Sequence, residues 1–296
     1  MSTINFNVTT GNYEAKIGKR KITSFDKRYV ERQIAKMEPV LRVAAEKEAD
    51  LSERFGINTR FSFVEKLVTM VATKVQASAI ITGEGGLGKT YTVLETLAKC
   101  GLEDMTEILA EAEDGDVIDN AFISVKGYST AKGLYRTLYE NNDKVIVFDD
   151  CDSILKDAVA INILKGALDS YDRRFISWNS EMKGDDDLPR SFEFTGQIIF
   201  ISNMEADKID QAVRSRSMMI DLSMTESQKL DRMEHIAKGD HFLPAYTLEH
   251  KLDALNLLRE IKDEVKELSL RTLISVTKIR ATNDEWKDLA TYMLTI

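Results

Sequence analysis

The chain has 296 residues, of which 43% are hydrophobic and 30% are charged, and its formal net charge at pH 7 is -9. This composition is typical of folded globular proteins and excludes a chain dominated by intrinsic disorder. The negative charge argues against a surface that binds nucleic acid over its whole extent, although it leaves room for a local basic segment.

The first 56 residues are predicted to form an arm followed by helices. Residues 1–25 are polar and show no sustained period, which is typical of an arm outside the folded core. From Asp26 onward apolar residues recur at helical spacing, Pro39 interrupts the pattern, and a second helix runs to about Phe55. Basic residues in this segment favour a solvated charged arm, with a nucleic-acid track as the alternative: Lys16, Lys19, Arg20, Lys21, Lys27 and Arg28.

Residues 57–222 begin with a helical stretch and then alternate short apolar runs with helices. Continuous apolar runs separated by helices are typical of a parallel sheet that is covered on both faces. We therefore predict an α/β domain with five parallel strands: Ala79–Thr82, Ala121–Val125, Val145–Phe148, Ile198–Ser202 and Met218–Leu222.

Two further elements complete the predicted organisation. Phe175–Trp178 and Ser191–Phe194 alternate apolar and polar residues, as the strands of a hairpin do, and an acidic loop joins them. After Leu222 helical patterns replace the strands, so residues 223–296 are predicted to form an all-helical domain. Its helices have candidate N-caps at Ser223 or Thr225, Thr247, Ser269 and Asn283.

A glycine-rich segment between the first strand and the next helix matches the phosphate-binding pattern G-x-x-x-x-G-K-[ST]. Glycines let successive backbone N–H groups face a phosphate, Lys89 can reach the β- and γ-phosphates, and the Thr90 hydroxyl can bind magnesium. A glycine turn without a ligand is the alternative, which the flanking strand and helix disfavour. We predict that ATP and Mg²⁺ are bound by Gly83, Glu84, Gly85, Gly86, Leu87, Gly88, Lys89, Thr90 and Tyr91.

The strand Val145–Phe148 runs directly into Asp149 and Asp150. The carboxyl edge of a parallel sheet is where ligands of α/β folds bind. Asp149 is therefore predicted to hold magnesium, and Asp150 to orient and deprotonate an attacking water molecule. The alternative is that acids after a strand cap the next helix, a role that Asp152 can fill.

The order of these motifs resembles that of AAA+ ATPases: phosphate loop, second strand, acidic strand, a strand ending in Asn203, paired arginines and a helical lid. The resemblance covers about residues 57–296. The segment from Leu134 to Asp152, with Leu164–Asp169, is similar to the small AAA+ ATPases of tailed bacteriophages and mobile elements. The resemblance implies a P-loop AAA+ core between an N-terminal helical extension and a C-terminal lid.

The same resemblance implies roles for four further residues. Asn203 corresponds to the sensor asparagine that positions the attacking water, and its alternative is an ordinary turn residue. Arg216 corresponds to the arginine finger, with Arg214 as an accessory, and Arg271 corresponds to the sensor arginine of the lid. Ordinary salt bridges are the alternative for each arginine. One departure is Asp150, where the family usually has the longer glutamate, and this leaves the hydrolysis rate open.

The resemblance also implies an activity and partners. It implies magnesium-dependent ATP hydrolysis that drives work on a macromolecule, in a homo-oligomer such as a ring. DNA is the first choice of substrate, on which the protein would act as a helicase, loader or translocation accessory. A protein-remodelling ATPase and a nucleotide-gated scaffold with little turnover are the alternatives. Lys126-Gly127-Tyr128 follows the second strand, where AAA+ rings place a pore loop, and a plain surface turn is equally compatible with it.

The cellular location is predicted from what the sequence lacks. It contains no apolar run of about 18 residues, so neither a membrane-spanning helix nor a membrane partner is expected. Met1–Thr10 has no apolar core of the kind that signal peptides have. Two cysteines far apart in the sequence favour a reduced compartment, so we expect the cytoplasm, which is the host cytoplasm if a phage encodes the chain.

Overall fold

The computed structural model describes residues 4–7, 10–17, 20–37, 54–105, 120–178 and 188–295, without the side chains of Lys16, Ile17 and Arg20. The chain divides into two compact units, Met1–Gly56 and Ile57–Ile296. In the described part of the chain, no helix combines the length and the apolar character needed to cross a bilayer.

The N-terminal unit contains a three-stranded antiparallel sheet and a helix. Its strands are β1 (Ile4–Asn7), β2 (Asn12–Ile17) and β3 (Arg20–Ser24), and residues 27–37 form helix α1. The strands lie in sequence order, with β2 in the centre. Ala15 of β2 packs with Val30 and Ile34 of α1 in a small apolar core.

The arm predicted for residues 1–25 is therefore wrong, and the helical extension is corrected to a sheet followed by a helix. Each strand has only four to six residues, and its apolar side chains alternate with polar ones. The average polarity of such short strands resembles that of a loop, which hides the two-residue period. The predicted continuation of the helices beyond residue 37 falls on residues 38–53, which lie outside the described residues.

The second unit is built on a six-stranded parallel sheet, which confirms the predicted α/β class. The predicted number of five strands is wrong because Glu103 and Asp104 pair with the second apolar run and add an edge strand. A strand of two acidic residues has no apolar pattern that could reveal it. The strands are β4 (Ser78–Thr82), β5 (Glu103–Asp104), β6 (Ala121–Lys126), β7 (Val145–Asp149), β10 (Gln197–Ser202) and β11 (Met218–Asp221). Their order across the sheet is β11-β4-β10-β7-β6-β5.

The central strands β4, β7 and β10 are buried along their whole length, which explains why the middle of each sequence is continuously apolar. In β4, Ile80 joins the apolar core on one face, while Ala79 and Ile81 join the core on the other. Helices cover both faces: α2 (Ile57–Ala72), α3 (Lys89–Lys99), α4 (Ala131–Glu140) and α5 (Ala158–Ala167). The predicted hairpin is present as β8 (Arg174–Ser177) and β9 (Ser191–Phe194), and its predicted acidic loop, residues 179–187, lies outside the described residues.

A short 3-10 helix (Ala206–Lys208) and the one-turn helix α6 (Gln211–Arg214) precede β11. Four helices follow β11: α7 (Glu226–Ala237), α8 (Leu248–Glu260), α9 (Leu270–Thr282) and α10 (Trp286–Thr295). Of the two candidate caps for α7, Thr225 is used, in a reciprocal capping box with Gln228. These helices share one apolar core with α2, α3 and one face of the sheet.

Candidate functional site

The glycine-rich loop leaves the carboxyl end of β4 and enters α3. Gly83, Gly86 and Gly88 have positive φ angles of 135°, 76° and 95°, which L side chains rarely adopt. A Cβ atom on Gly83 would lie 2.9 Å from the backbone carbon of Leu222, and one on Gly86 would lie 2.9 Å from Ser269 Cβ. Because the helix is preceded by a glycine, no side chain caps its first N–H groups, which remain available to an anion.

Lys89 is the buried cation of the loop, with 5% of its surface exposed. Its Nζ donates hydrogen bonds to the carbonyl oxygens of Gly83 and Glu84, both at 2.6 Å, and to Asn203 Oδ1 at 2.9 Å. Burial lowers the pKa of the ammonium group, and the carboxylates of Asp150 and Asp149 oppose that shift. All three hydrogens of the ammonium group are donated to uncharged oxygens, so its charge fits a phosphate that replaces one of these acceptors.

Thr90 and Asp149 meet beside Lys89. The Thr90 hydroxyl donates to the Asp149 carboxylate, at 3.0 Å to Oδ1 and 3.2 Å to Oδ2. Burial raises the pKa of the Asp149 carboxyl, while the hydrogen bond from Thr90 and the nearby charges of Lys126 and Lys89 lower it. A hydroxyl and a carboxylate side by side supply the hard oxygen ligands that magnesium prefers, so these residues fit the ion.

Asn203 joins Lys89 to Asp150. Its Oδ1 accepts from Lys89, and its Nδ2 donates to Asp150 Oδ1 at 2.7 Å. The orientation of the amide is defined, because an ammonium group can only donate and a carboxylate can only accept. Asp150 has a positive φ of 54°, a conformation in which aspartate and asparagine are enriched among residues with a side chain. Its backbone N–H donates to Ile201 of β10 at 3.0 Å.

The acids after β7 do not cap the next helix, contrary to the alternative considered from the sequence. Asp157 caps α5, with Oδ1 accepting from the backbone N–H groups of Val159 and Ala160, both at 2.8 Å. Asp152 instead accepts a hydrogen bond of 2.6 Å from the Ser202 hydroxyl at the end of β10. This bond ties the loop after β7 to the strand that leads into Asn203.

The helices after β11 contact the glycine-rich loop. The backbone N–H of Leu270, the first residue of α9, donates to the Gly86 carbonyl at 2.7 Å. Lys229 of α7 forms an ion pair with Glu84. Arg271, the next residue of α9, is exposed and belongs to the wall of a cavity of about 260 Å³ between α9 and α10. The exposed ring of Tyr91, on α3, takes no part in the hydrogen bonds around Lys89.

Arg214 and Arg216 lie near the amino ends of the strands, whereas the loop lies at their carboxyl ends. The backbone carbonyl of Arg216 accepts from the Ser78 hydroxyl at 3.3 Å, and Ser78 is the first residue of β4. The loop follows the other end of β4, at a distance of roughly 13 Å for five residues of strand. The Arg216 guanidinium donates to the Ala212 carbonyl at 3.1 Å, and the Nε atoms of both arginines are buried without a partner among the described residues. The structure therefore does not bring these arginines to the loop of their own chain.

Lys126 is a charged neighbour of the site that the motif search did not assign to it. It ends β6 and is paired in register with Asp149. Gly127, with φ 87°, turns the chain, and Tyr128 extends from it with 82% of its surface exposed. Because β6 and β7 pair in parallel, their last residues lie side by side. The register of these two strands could therefore have shown that Lys126 neighbours Asp149.

Comparisons with known proteins give a distant sequence relative and a distant structural one. The chain matches no protein-family model. It is 28% identical over 272 residues to an "uncharacterized 36.7 kDa protein in nrdC-mobD intergenic region" of Enterobacteria phage T4. The alignment covers 85% of this chain and 78% of that protein. The structure of the FIGL-1 AAA domain in complex with ADP aligns with 77% of this chain at a TM-score of 0.32 and 13% identity. This chain spans 65% of the length of that structure's chain.

Proposed function

We propose that the chain is a magnesium-dependent ATP hydrolase of the AAA+ type, which couples ATP binding and hydrolysis to work on a macromolecule. The observation that carries the proposal is the run of hydrogen bonds from Lys89 through Asn203 to Asp150, beside the Thr90–Asp149 pair. A phosphate-binding cation, an orienting amide and a candidate base thus lie together at the carboxyl edge of a parallel sheet. The order of the motifs along the chain supports the AAA+ type.

Lys89 and the first N–H groups of α3 supply the positive charge that the phosphates need. When bound, a magnesium ion held by Thr90 and Asp149 neutralises charge that develops on the β- and γ-phosphates. Asp150 takes the proton of the attacking water. Asn203 Nδ2 holds only Oδ1 of this carboxylate, which leaves Oδ2 to accept from the water.

Lys89→Ala tests nucleotide binding, the first requirement of the proposed function. The variant is expected to lose tight binding of Mg-ATP in calorimetry, because the buried ammonium and the loop amides provide most of the charge compensation. Lys99→Ala is the matched control, since Lys99 ends the same helix on the surface, paired with Glu95 at 3.0 Å. Equal affinity of the two variants for Mg-ATP would contradict the proposed site.

The position of Arg216 supports a head-to-tail homo-oligomer, such as a closed ring, in which each arginine serves the phosphate loop of a neighbouring subunit. In its own chain the residue is separated from the loop by the length of β4. A heterologous interface of this kind would bring the amino ends of the strands in one subunit to the carboxyl ends of the strands in the next. Arg214, in the one-turn helix before it, would line the same interface.

DNA is the proposed substrate, with a helicase, loader or translocation accessory as the form of the work. The distant similarity to a phage T4 protein supports a phage or mobile-element setting. The net charge of -9 favours the alternative of a protein-remodelling ATPase, and Asp150 in place of glutamate favours a scaffold with little turnover. Stimulation of ATP hydrolysis by DNA that weakens with added salt separates the first candidate from the second, and turnover without any partner tests the third.

Tyr128→Ala is expected to remove substrate-stimulated ATP hydrolysis and to leave the basal rate within about twofold, because its side chain is exposed away from the reacting groups. Tyr171→Ala is the control, since it truncates a tyrosine that is similarly exposed, at 76%. Lys126 is unsuited to this test because it neighbours Asp149. Full stimulation of the Tyr128 variant by DNA would identify residues 126–128 as a surface turn.

A further inference from the structure

The charge of the chain is divided very unevenly along its length. Residues 1–37 contain eight basic and three acidic residues, a formal charge of +5, and the whole N-terminal unit, residues 1–56, carries +3. The chain carries -9 in total, so the second unit carries -12. A polyanion would be repelled by most of the chain and attracted to residues 1–37. The basic residues are Lys16, Lys19, Arg20, Lys21, Lys27, Arg28, Arg32 and Lys36.

The sheet of the N-terminal unit has one apolar and one polar face. Directly paired residues share a face, and the row Ile4, Ala15 and Ile22 packs against α1 in the small core. The neighbouring row, Asn5, Glu14 and Thr23, lies on the opposite side of the sheet. We call this side the outer sheet face, and the described side chains that the strands place on it are Asn5, Asn7, Asn12, Glu14, Lys21 and Thr23.

The outer sheet face has the width and the chemistry of a surface that enters a DNA groove. The axes of the two outer strands are roughly 10 Å apart, at about 4.8 Å per spacing, and the major groove of B-DNA is about 12 Å wide and admits a two-stranded β-ribbon. Amide, hydroxyl and ammonium side chains are the groups that hydrogen-bond base edges and phosphates. Lys21, with 63% of its side chain exposed, provides a positive charge on this face.

The same face fits other macromolecules poorly. Single-stranded nucleic acids are bound by stacking on aromatic rings, and the strands place none there: Phe6 and Tyr13, whose ring centroids are 4.9 Å apart, belong to the rows of the inner side. Protein interfaces depend on apolar and aromatic anchors, and every described side chain of the outer sheet face is polar. The major groove of double-stranded RNA is too narrow for side chains to read.

We propose that the N-terminal unit binds double-stranded DNA by placing its outer sheet face in the major groove. Glu14 is the acidic exception on this face. It accepts from Asn7 Nδ2 at 3.2 Å and pairs with Lys21 at 2.7 Å, so it holds two DNA-facing side chains in position while its charge offsets that of Lys21. The inference is independent of the ATPase site, because it rests on residues 4–37 alone.

The test measures DNA binding by the full chain without nucleotide. A labelled duplex of about two helical turns is titrated by fluorescence anisotropy between about 50 and 200 mM KCl. The plot of log affinity against log salt concentration has a negative slope, and Lys21→Gln is expected to make this slope shallower by about one, as the loss of one phosphate contact does. Lys287→Gln removes a lysine of similar exposure (60%) from α10 and is expected to keep the slope of the unchanged chain. Glu14→Gln is expected to tighten binding, because it removes the negative charge of the face.

Three results would overturn the proposal: no duplex binding at the lowest salt, equal slopes for the Lys21 and Lys287 variants, or preferred binding of the single strand of the same sequence. Circular dichroism checks that each variant is folded. Basal ATP hydrolysis and duplex binding of the unchanged chain separate this inference from the proposed function. In that chain, normal hydrolysis without duplex binding would refute the DNA surface alone, whereas duplex binding without any hydrolysis would refute the ATPase alone.

Discussion

Arg216→Ala is expected to bind ATP as tightly as the unchanged chain but to hydrolyse it about 1,000- to 100,000-fold more slowly. An arginine beside the γ-phosphate stabilises charge in the transition state, so its loss affects the rate and not the binding of the ground state. Arg216 lies at the amino end of β4, whereas the loop of the same chain follows the carboxyl end. The arginine charge beside the γ-phosphate would therefore come from a neighbouring subunit.

Mixing two inactive variants tests that arrangement. Oligomers of Arg216→Ala and Lys89→Ala subunits contain some interfaces with an intact loop on one side and an intact arginine on the other, so part of the activity is expected to return. Lys89→Ala mixed with Asp150→Asn is the control: both changes damage the site within one chain, so no recovery is expected. The trans role would be refuted by a fully active monomer, or by mixed oligomers that stay inactive although both variants are shown to be present.

Asp150→Asn is expected to bind ATP normally and to hydrolyse it about 100- to 10,000-fold more slowly, because an amide cannot accept the proton of the attacking water. Asparagine suits this position otherwise. It tolerates the positive φ of 54°, and its side-chain oxygen can still accept from Asn203. The loss is therefore expected in single-turnover rates and not in the melting temperature.

Two further variants sharpen the assignment of the base. Asp152→Asn is the matched control and is expected to hydrolyse ATP within about tenfold of the unchanged rate, since Asp152 is bonded to Ser202 at the end of β10. Asp150→Glu is expected not to exceed the unchanged rate, because glutamate is disfavoured in the left-handed region that this position requires. Near-normal turnover of Asp150→Asn would remove Asp150 as the base, and a large loss in Asp152→Asn would point to that carboxylate.

The sequence alone determined the α/β class and the position of the glycine-rich loop between β4 and α3. Strands buried on both faces are nearly continuously apolar, so β4, β7 and β10 are visible as apolar runs with polar residues at their ends. The loop pattern is local, because eight consecutive residues supply its glycines, its lysine and its hydroxyl. Features that depend only on neighbouring residues or on complete burial leave a mark in the sequence.

The N-terminal sheet and the edge strand β5 left no such mark. The three short strands bury one side only and contribute few apolar residues to a small core. Glu103 and Asp104 join the large sheet through backbone hydrogen bonds, which any residue except proline can supply. Their pairing was decided by the sheet that was already present, not by their side chains.

Only the tertiary structure decided which side chains meet. Asn203 lies 114 positions from Lys89 and 53 from Asp150, yet its amide bonds to both. Strand order and register bring these residues together at the carboxyl ends of the strands, and the same parallel pairing places Arg216 at the amino ends. Motifs along the chain specify the chemical groups, whereas the distances between them follow from how the strands pair, a non-local property that no short segment of sequence contains.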